Sequence, residues 1–282
     1  MLVLLGGCAS PRQLILKGVA SELASQGNAP EDDLVLAHEA SAFYLKLSES
    51  VLREMPGDTA LATAVASGFT QYAYAFVQSE AERMESKDAH AAQKLRQRAA
   101  RLYRRAHDHA MNALEQQTPS FAKALASNLP ADWPRLRPEQ VGLAYWASAS
   151  WGGWIALAKD DPDTVADFPL AVRLARLAWA VSPGYGDGAL ASLMGTFEAA
   201  RPGGSQVQAT QYFDQAIALG AGKNAAPLVA KAENIALPAG DRAAFDALLK
   251  QALTVSETQH DLPNTVMRER AQWLLETADD LF

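Results

Sequence analysis

Apolar and polar residues recur with helical spacing along most of the chain. The stretch RQLILKGVASELA has apolar residues three or four positions apart, and the GNAP that follows ends a helix with glycine and proline. The next segment, EDDLVLAHEASAFYLKLSESVLREMPGD, begins with acidic residues and ends in Pro-Gly, which is typical of an amphipathic helix followed by a turn. Alternating runs of β-branched residues are lacking, so the sequence predicts an all-α fold.

Small residues recur within these predicted helices in a repeated pattern. AVRLARLAWAVSP has the spacing of the second helix of a tetratricopeptide repeat (TPR), with small residues at the helix crossing and Pro183 at the exit. Small side chains let paired helices approach to about 8–10 Å, and an aromatic ring fills the groove between pairs. The matching positions are Ala171, Ala175 and Ala178; Ala62, Ala66 and Phe69; Ala99, Tyr103 and Ala106; and Ala209, Phe213 and Ala216.

We therefore predict an α-solenoid-like bundle of degenerate TPR-type helical hairpins, forming a single domain over residues 31–282. ARPGGSQVQ, from Ala200 to Gln208, is predicted to be a loop between two helices of one pair.

An aromatic stretch, LAYWASASWGGWIALA, is the candidate binding element. It holds three of the six tryptophans within nine residues, separated by alanine, serine and glycine. Such a stripe is typical of a core helix, but indoles beside small residues can also form the wall of an apolar cavity for an organic ligand. The candidate ligand-binding residues are Tyr145, Trp146, Ser150, Trp151 and Trp154.

A basic stripe lies on another predicted helix. Lys94, Arg98, Arg101 and Arg105 recur at intervals of four, three and four, so they share one helix face. A solvated face complemented by the acidic residues of SEAERMESKD explains this pattern, and a docking face for an acidic partner protein is the functional alternative.

Composition narrows the classes of function. The chain of 282 residues is 49% hydrophobic and 20% charged, which is typical of a globular protein, and its net charge of -7 argues against nucleic acid as a partner. The five histidines show no metal-ligand spacing, and GYGDG and GAGKN match nucleotide-binding loops only in part. We find no set of nucleophile, base and orienting residue, so we expect neither catalysis nor a metal or other cofactor.

The N-terminal MLVLLGGCAS contains the single cysteine, Cys8. Leu5-Gly6-Gly7-Cys8 resembles the lipobox of bacterial lipoprotein signal peptides, which implies cleavage before Cys8 and acylation of its sulfur. Because seven residues without Lys or Arg precede Cys8, we expect residues 1–7 to be a truncated signal peptide and residues 8–30 an anchor segment with an N-terminal helix. In lipoproteins, an aspartate after the cysteine commonly signals retention in the inner membrane. This chain has no aspartate there, so the analogy with lipoproteins favours anchoring in the inner leaflet of the outer membrane. The alternative is an apolar N-terminus with an ordinary thiol.

Several segments, in their order along the chain, resemble one family, the T-component proteins associated with tripartite ATP-independent periplasmic (TRAP) transporters, or TatT-like lipoproteins. They are DDLVLAHEASAFYLKLSESVLREMPGDTALATAVASGFTQYAYAFVQSEAE, RAARLYRRAHDHAMNAL, LAYWASASWGGWIALAKDD, LARLAWAVSPGYGDGALASLMGTFEAARPGG, FDQAIALG and RERAQWLLETADDLF. The resemblance implies TPR-like helices, a periplasmic lipid anchor, a homotrimer with a pore through each protomer, and docking to the transporter's substrate-binding protein.

Two functional hypotheses follow. In the first, which the resemblance implies, the protein is an accessory component that docks the substrate-binding protein and binds or passes a small apolar or organic-acid ligand. In the second, it is a TPR-like envelope scaffold lipoprotein that binds other proteins and no small molecule. A cavity beside the clustered tryptophans favours the first, and a fully packed interior there favours the second.

Overall fold

The computed structural model describes residues 11–25 and 31–282. Cys8 and the predicted signal-peptide residues 1–7 lie outside the described residues, so cleavage and acylation stay predictions.

The described chain forms helices joined by short turns, and no strand occurs in residues 11–25 and 31–282. The all-α prediction is therefore confirmed. Two π-helical turns, Ala73–Gln78 and Ala232–Ala236, follow α3 and α12, and two 3₁₀ turns, Pro130–Asp132 and Pro138–Gln140, precede α7. The α-helices are α1 (Pro11–Ser25), α2 (Leu34–Glu54), α3 (Thr59–Tyr72), α4 (Ser79–Met84), α5 (Ala89–Gln117), α6 (Phe121–Leu125), α7 (Val141–Leu157), α8 (Pro162–Ala166), α9 (Phe168–Val181), α10 (Ala189–Ala200), α11 (Gln206–Gly220), α12 (Ala226–Lys231), α13 (Arg242–Thr258), α14 (Leu262–Glu276) and α15 (Ala278–Leu281).

Short polar side chains fix where many helices begin. Asp33 accepts hydrogen bonds from the backbone N–H groups of Val35 and Leu36, at 2.9 and 3.0 Å. These bonds satisfy donors that a helix leaves unpaired in its first turn. The same arrangement begins six other helices, at Asp58, Asp88, Asp161, Ser205, Asp241 and Asp261.

The small and aromatic residues of the predicted repeat all lie at helix contacts. Each of them is at most 3% exposed. Helix α5 packs against α3 and α7, and α10 packs against α11. This arrangement is compatible with stacked helical hairpins, while the solenoid itself stays a prediction.

The predicted loop between α10 and α11 is shorter than expected. It covers residues 201–205, because the Ser205 side chain accepts a hydrogen bond from the Gln208 N–H at 3.2 Å and α11 already begins at Gln206. Ala200 is likewise the last residue of α10.

Buried apolar residues form two clusters. The larger one extends from Ala20 on α1 to Phe197 on α10, and the smaller one extends from Ala225 to Ala278. Arg270 on α14 connects the helices of the two clusters, since its guanidinium donates to Glu82 on α4 and, at 2.6 Å, to Glu233 in the second π-helical turn.

Candidate functional site

A large cavity lies among the helices. Its volume is about 2210 Å³, and its wall includes residues from α1, α2, α3, α7, α10 and α14. Aromatic side chains form much of this wall, among them Tyr44, Tyr72, Phe76, Trp146, Tyr185 and Phe197. Ligand pockets are typically about 300–1,000 Å³, and this cavity is larger. Its size and chemistry therefore allow it to hold an organic molecule of tens of atoms.

Small residues on two helices leave this space open. Helix α3 contributes Ala64, Ser67 and Gly68 to the wall, and α7 contributes Ala149 and Gly152. At Gly152 an added Cβ would lie 2.6 Å from Cε1 of Phe197, so an aromatic ring rests directly on the α7 backbone there. Small side chains therefore serve both the open cavity and the close contacts beside it.

Three aromatic residues form a cluster on the cavity wall. The Tyr145 ring lies 4.8 Å from that of Trp146, in an edge-to-face arrangement, and 5.2 Å from that of Tyr185. Burial raises the pKa of Tyr145 and of Tyr185, so both phenols stay uncharged at neutral pH.

Of the candidate ligand-binding residues, Tyr145 and Trp146 line the cavity, and the other three do not. Ser150 is buried, with its hydroxyl donating to the Trp146 carbonyl at 2.6 Å. The Trp151 ring packs 4.4 Å from His107, and the Arg104 guanidinium lies 5.3 Å from the Trp154 ring.

The rotation of α7 explains this division. Successive helix residues are turned by about 100°, so residues 142, 145, 146, 149, 152, 153 and 156 share one side of α7, and all of them line the cavity. Trp151 and Trp154 lie on another side, where they meet side chains of α5. Helix α7 thus lies on the cavity with only part of its aromatic set, and its role in ligand binding stays a prediction.

Sequence reasoning missed the aromatic residues that α3 and the first π-helical turn contribute. Phe76 stacks on the His38 ring with centroids 4.8 Å apart, and its ring lies 5.5 Å from that of Tyr72. Tyr72 and Phe76 both line the cavity. The run FTQYAYAF, with aromatic residues three and four positions apart, was the signal for this face.

Two residues of the basic stripe contact other helices as well as solvent, and the docking role of the stripe stays a prediction. Arg105 donates from Nε to Glu49 at 2.5 Å, and the Arg98 guanidinium lies 5.9 Å from the Tyr72 ring. Lys94, Arg98 and Arg101 are exposed, and Arg105 is partly exposed. Two of the four candidate docking residues therefore contact other helices.

Glu49 is the centre of this charged group. Its carboxylate is 5% exposed and also accepts hydrogen bonds from Lys46 at 2.5 Å and His109 at 2.9 Å. Burial by itself raises the pKa of Glu49, but the hydrogen bonds from Arg105, Lys46 and His109 together outweigh it and lower the pKa from 4.5 to about 2. The carboxylate therefore stays charged at neutral pH and holds α2 to α5.

Within the described part of the chain, no three His, Cys, Asp or Glu side chains are grouped so that they could hold a metal ion. Among the same residues, no helix has both the length and the apolar character needed to cross a membrane.

Comparison with known proteins assigns the family. A sequence profile of the TRAP transporter T-component family matches residues 30–282. The chain is also 28% identical over 265 residues to a protein of Treponema pallidum (strain Nichols) described as uncharacterized, and the match covers 89% of this chain and 81% of the relative. Since the family profile covers nearly the whole chain, this protein belongs to the TRAP transporter T-component family, accessory components of TRAP transport systems.

Proposed function

We propose that this protein is a periplasmic, lipid-anchored accessory subunit that docks the substrate-binding protein of a TRAP transporter and holds or passes a small organic ligand. Membership of the family supports a role in transport. The aromatic cavity of about 2210 Å³ is the observation that supports ligand binding. A pure scaffold has no need of such a cavity.

The cavity can be tested by filling it. We expect the full chain to bind the apolar fluorophore N-phenyl-1-naphthylamine saturably, with one molecule per chain. Ala149→Trp places an indole into the cavity from α7 and should weaken binding at least tenfold. Ala42→Trp is the matched control, because Ala42 is exposed on α2 and does not line the cavity. If the wild-type chain fails to bind the fluorophore, or binds it equally well with Ala149→Trp, the scaffold hypothesis is favoured.

We assign docking of the substrate-binding protein to Lys94 and Arg101, two exposed residues of the basic stripe. Lys94 and Arg101 are seven residues apart on α5, so they share its outer face. Charge reversal of both, to glutamate, should weaken association with the substrate-binding protein about tenfold or more and reduce its dependence on salt. Titration calorimetry measures both effects. Lys250→Glu on α13 is the control, and an unchanged affinity in the Lys94/Arg101 variant would remove this surface from the proposal.

The anchor is assigned to Cys8, and the assembled state to a homotrimer. Several acyl chains on Cys8 hold a protein on a bilayer far more firmly than one chain does. We expect Cys8→Ser to move the protein from the membrane fraction to the periplasmic extract, with the fold unchanged by circular dichroism.

Sedimentation of the purified chain measures the assembled state, and a monomer at micromolar concentration contradicts the trimer.

A further inference from the structure

The cavity wall carries few charged groups, and most of them are acidic. Its charged residues, among those that the structure describes, are Glu31, Glu139, Asp187 and Lys159. Glu139 forms an ion pair with Arg137, whose Nε lies 2.6 Å from the carboxylate, so this acid is partly neutralised. Arginine is not found on the described wall.

The remaining polar groups of the wall are neutral. Burial raises the pKa of Tyr74, Tyr103, Tyr145 and Tyr185, so their hydroxyls do not ionise at neutral pH. Threonine, serine, glutamine and asparagine supply the other hydrogen-bonding groups. Most of the wall is therefore apolar, and the donors and acceptors that it does offer are nearly all uncharged.

Such a wall disfavours an organic anion. A carboxylate that leaves water needs a cation or several strong donors to compensate for its lost hydration, and proteins usually supply arginine or lysine. Lys159, the single lysine among the described residues of the wall, is exposed in the turn after α7 and lies on the same wall as three carboxylates.

The same wall favours an organic cation. Tyr145, Trp146 and Tyr185 form a contiguous aromatic group on the wall, with ring centroids 4.8 and 5.2 Å apart. Aromatic groups of this kind bind ammonium ions within about 6 Å of a ring centroid. Asp187, two residues after Tyr185 in the turn between α9 and α10, adds an exposed negative charge to the same wall.

We infer that the ligand of this cavity has an apolar body and a cationic group, such as an amine or a quaternary ammonium, that binds at the Tyr145–Trp146–Tyr185 cluster. The inference builds on the proposed ligand-binding function and names its ligand class. The sequence led us to expect an apolar or organic-acid ligand, whereas the ligand inferred here carries a positive charge.

A matched series of compounds tests the inference on the full chain. The series keeps one phenylalkyl body and changes the polar end: 3-phenylpropyl-trimethylammonium, 3-phenylpropanol and 4-phenylbutyrate. Affinities come from titration calorimetry and from displacement of N-phenyl-1-naphthylamine. We expect the ammonium compound to bind at least fivefold more tightly than the alcohol and at least tenfold more tightly than the carboxylate.

Two variants locate the preference within the cavity. Asp187→Asn should reduce the advantage of the ammonium over the alcohol severalfold while leaving alcohol binding unchanged. Asparagine tolerates the left-handed backbone at this position, where φ is 49°, so the variant should fold. Asp160→Asn, at an exposed site off the cavity wall, is its control. Trp146→Leu keeps apolar bulk and should abolish most of the ammonium preference.

The outcomes separate this inference from the proposed function. If the fluorophore binds but the carboxylate binds as tightly as the ammonium compound, or the alcohol equals the ammonium, the cationic ligand is wrong and the cavity remains a binding site. If neither the fluorophore nor any member of the series binds, both proposals are overturned.

Discussion

At the scale of single residues, Glu49 shows how one buried charge joins two helices of this fold. Its carboxylate on α2 receives hydrogen bonds from Arg105 and His109 on α5 and from Lys46 one turn away. The Arg105 guanidinium also lies 5.0 Å from the Phe69 ring on α3, so the charged group rests on an apolar surface. Because its pKa is lowered to about 2, Glu49 stabilises the folded state only while it is ionised.

We expect this contribution to depend on pH in a defined direction. A carboxyl with a folded-state pKa of about 2 and an ordinary value of 4.5 adds its full stability above pH 4.5 and loses it as the pH falls toward 2. The free energy of unfolding should fall in this window by up to about 3 kcal/mol from this group. Denaturant unfolding at a series of pH values measures it.

Glu49→Gln isolates the carboxylate. This variant should be less stable at pH 7, and its unfolding free energy should vary less between pH 4.5 and 2 than that of the wild type. Glu257→Gln, on the exposed surface of α13, is a matched control. Equal pH slopes in wild type and Glu49→Gln would show that the ionised carboxylate adds nothing.

At the scale of helices, aromatic rings from neighbouring helices lie very close to the backbone of α7 at two of its glycines. Gly152 contacts the Phe197 ring, and Gly153 contacts the Tyr103 ring, where an added Cβ would lie 2.8 Å from Cε1. Both rings are only 3% exposed, and both lie on the cavity wall. Glycine lowers helix propensity, yet here it permits contacts that a larger residue would prevent.

We expect Gly152→Ala to lower the free energy of unfolding by about 1–3 kcal/mol, because the new methyl group forces the Phe197 ring out of its place. Helix propensity alone would raise stability by up to about 1 kcal/mol. Gly18→Ala on α1 is the control with this second effect only, since no atom lies within 4 Å of the added Cβ. Stabilisation by Gly152→Ala would contradict the packing argument.

At the scale of the whole molecule, Arg270 connects the two apolar clusters. Its side chain is 13% exposed, and its guanidinium contacts Glu82 on α4, which follows the first π-helical turn, and Glu233 within the second turn. It also lies 4.8 Å from the Trp273 ring. Val266 and Met267, on the same helix, line the cavity, so Arg270 also holds the helix that closes one side of it.

Loss of this contact should therefore affect the entire fold. Arg270→Ala leaves Glu233 and Glu82 partly buried without their cation, and we expect the free energy of unfolding to fall by about 3 kcal/mol. Arg83→Ala is the comparison, because the Arg83–Glu269 pair is about 40% exposed and 3.6 Å apart, and its loss should cost under about 1 kcal/mol. Denaturant unfolding measures both variants. If the free energy of unfolding falls equally in the two, Arg270 stabilises the fold no more than Arg83 does.

Sequence by itself determined the helices of this protein and the small residues at which they cross. Helical spacing and small residues at crossings are local properties, and they predicted the all-α fold and the buried positions of the repeat. Only the tertiary structure decided which side of α7 lines the cavity and which basic residues form ion pairs with a carboxylate. The angle of a helix about its own axis depends on neighbours distant in sequence, such as His107 against Trp151 and Glu49 against Arg105, and no local pattern contains those contacts.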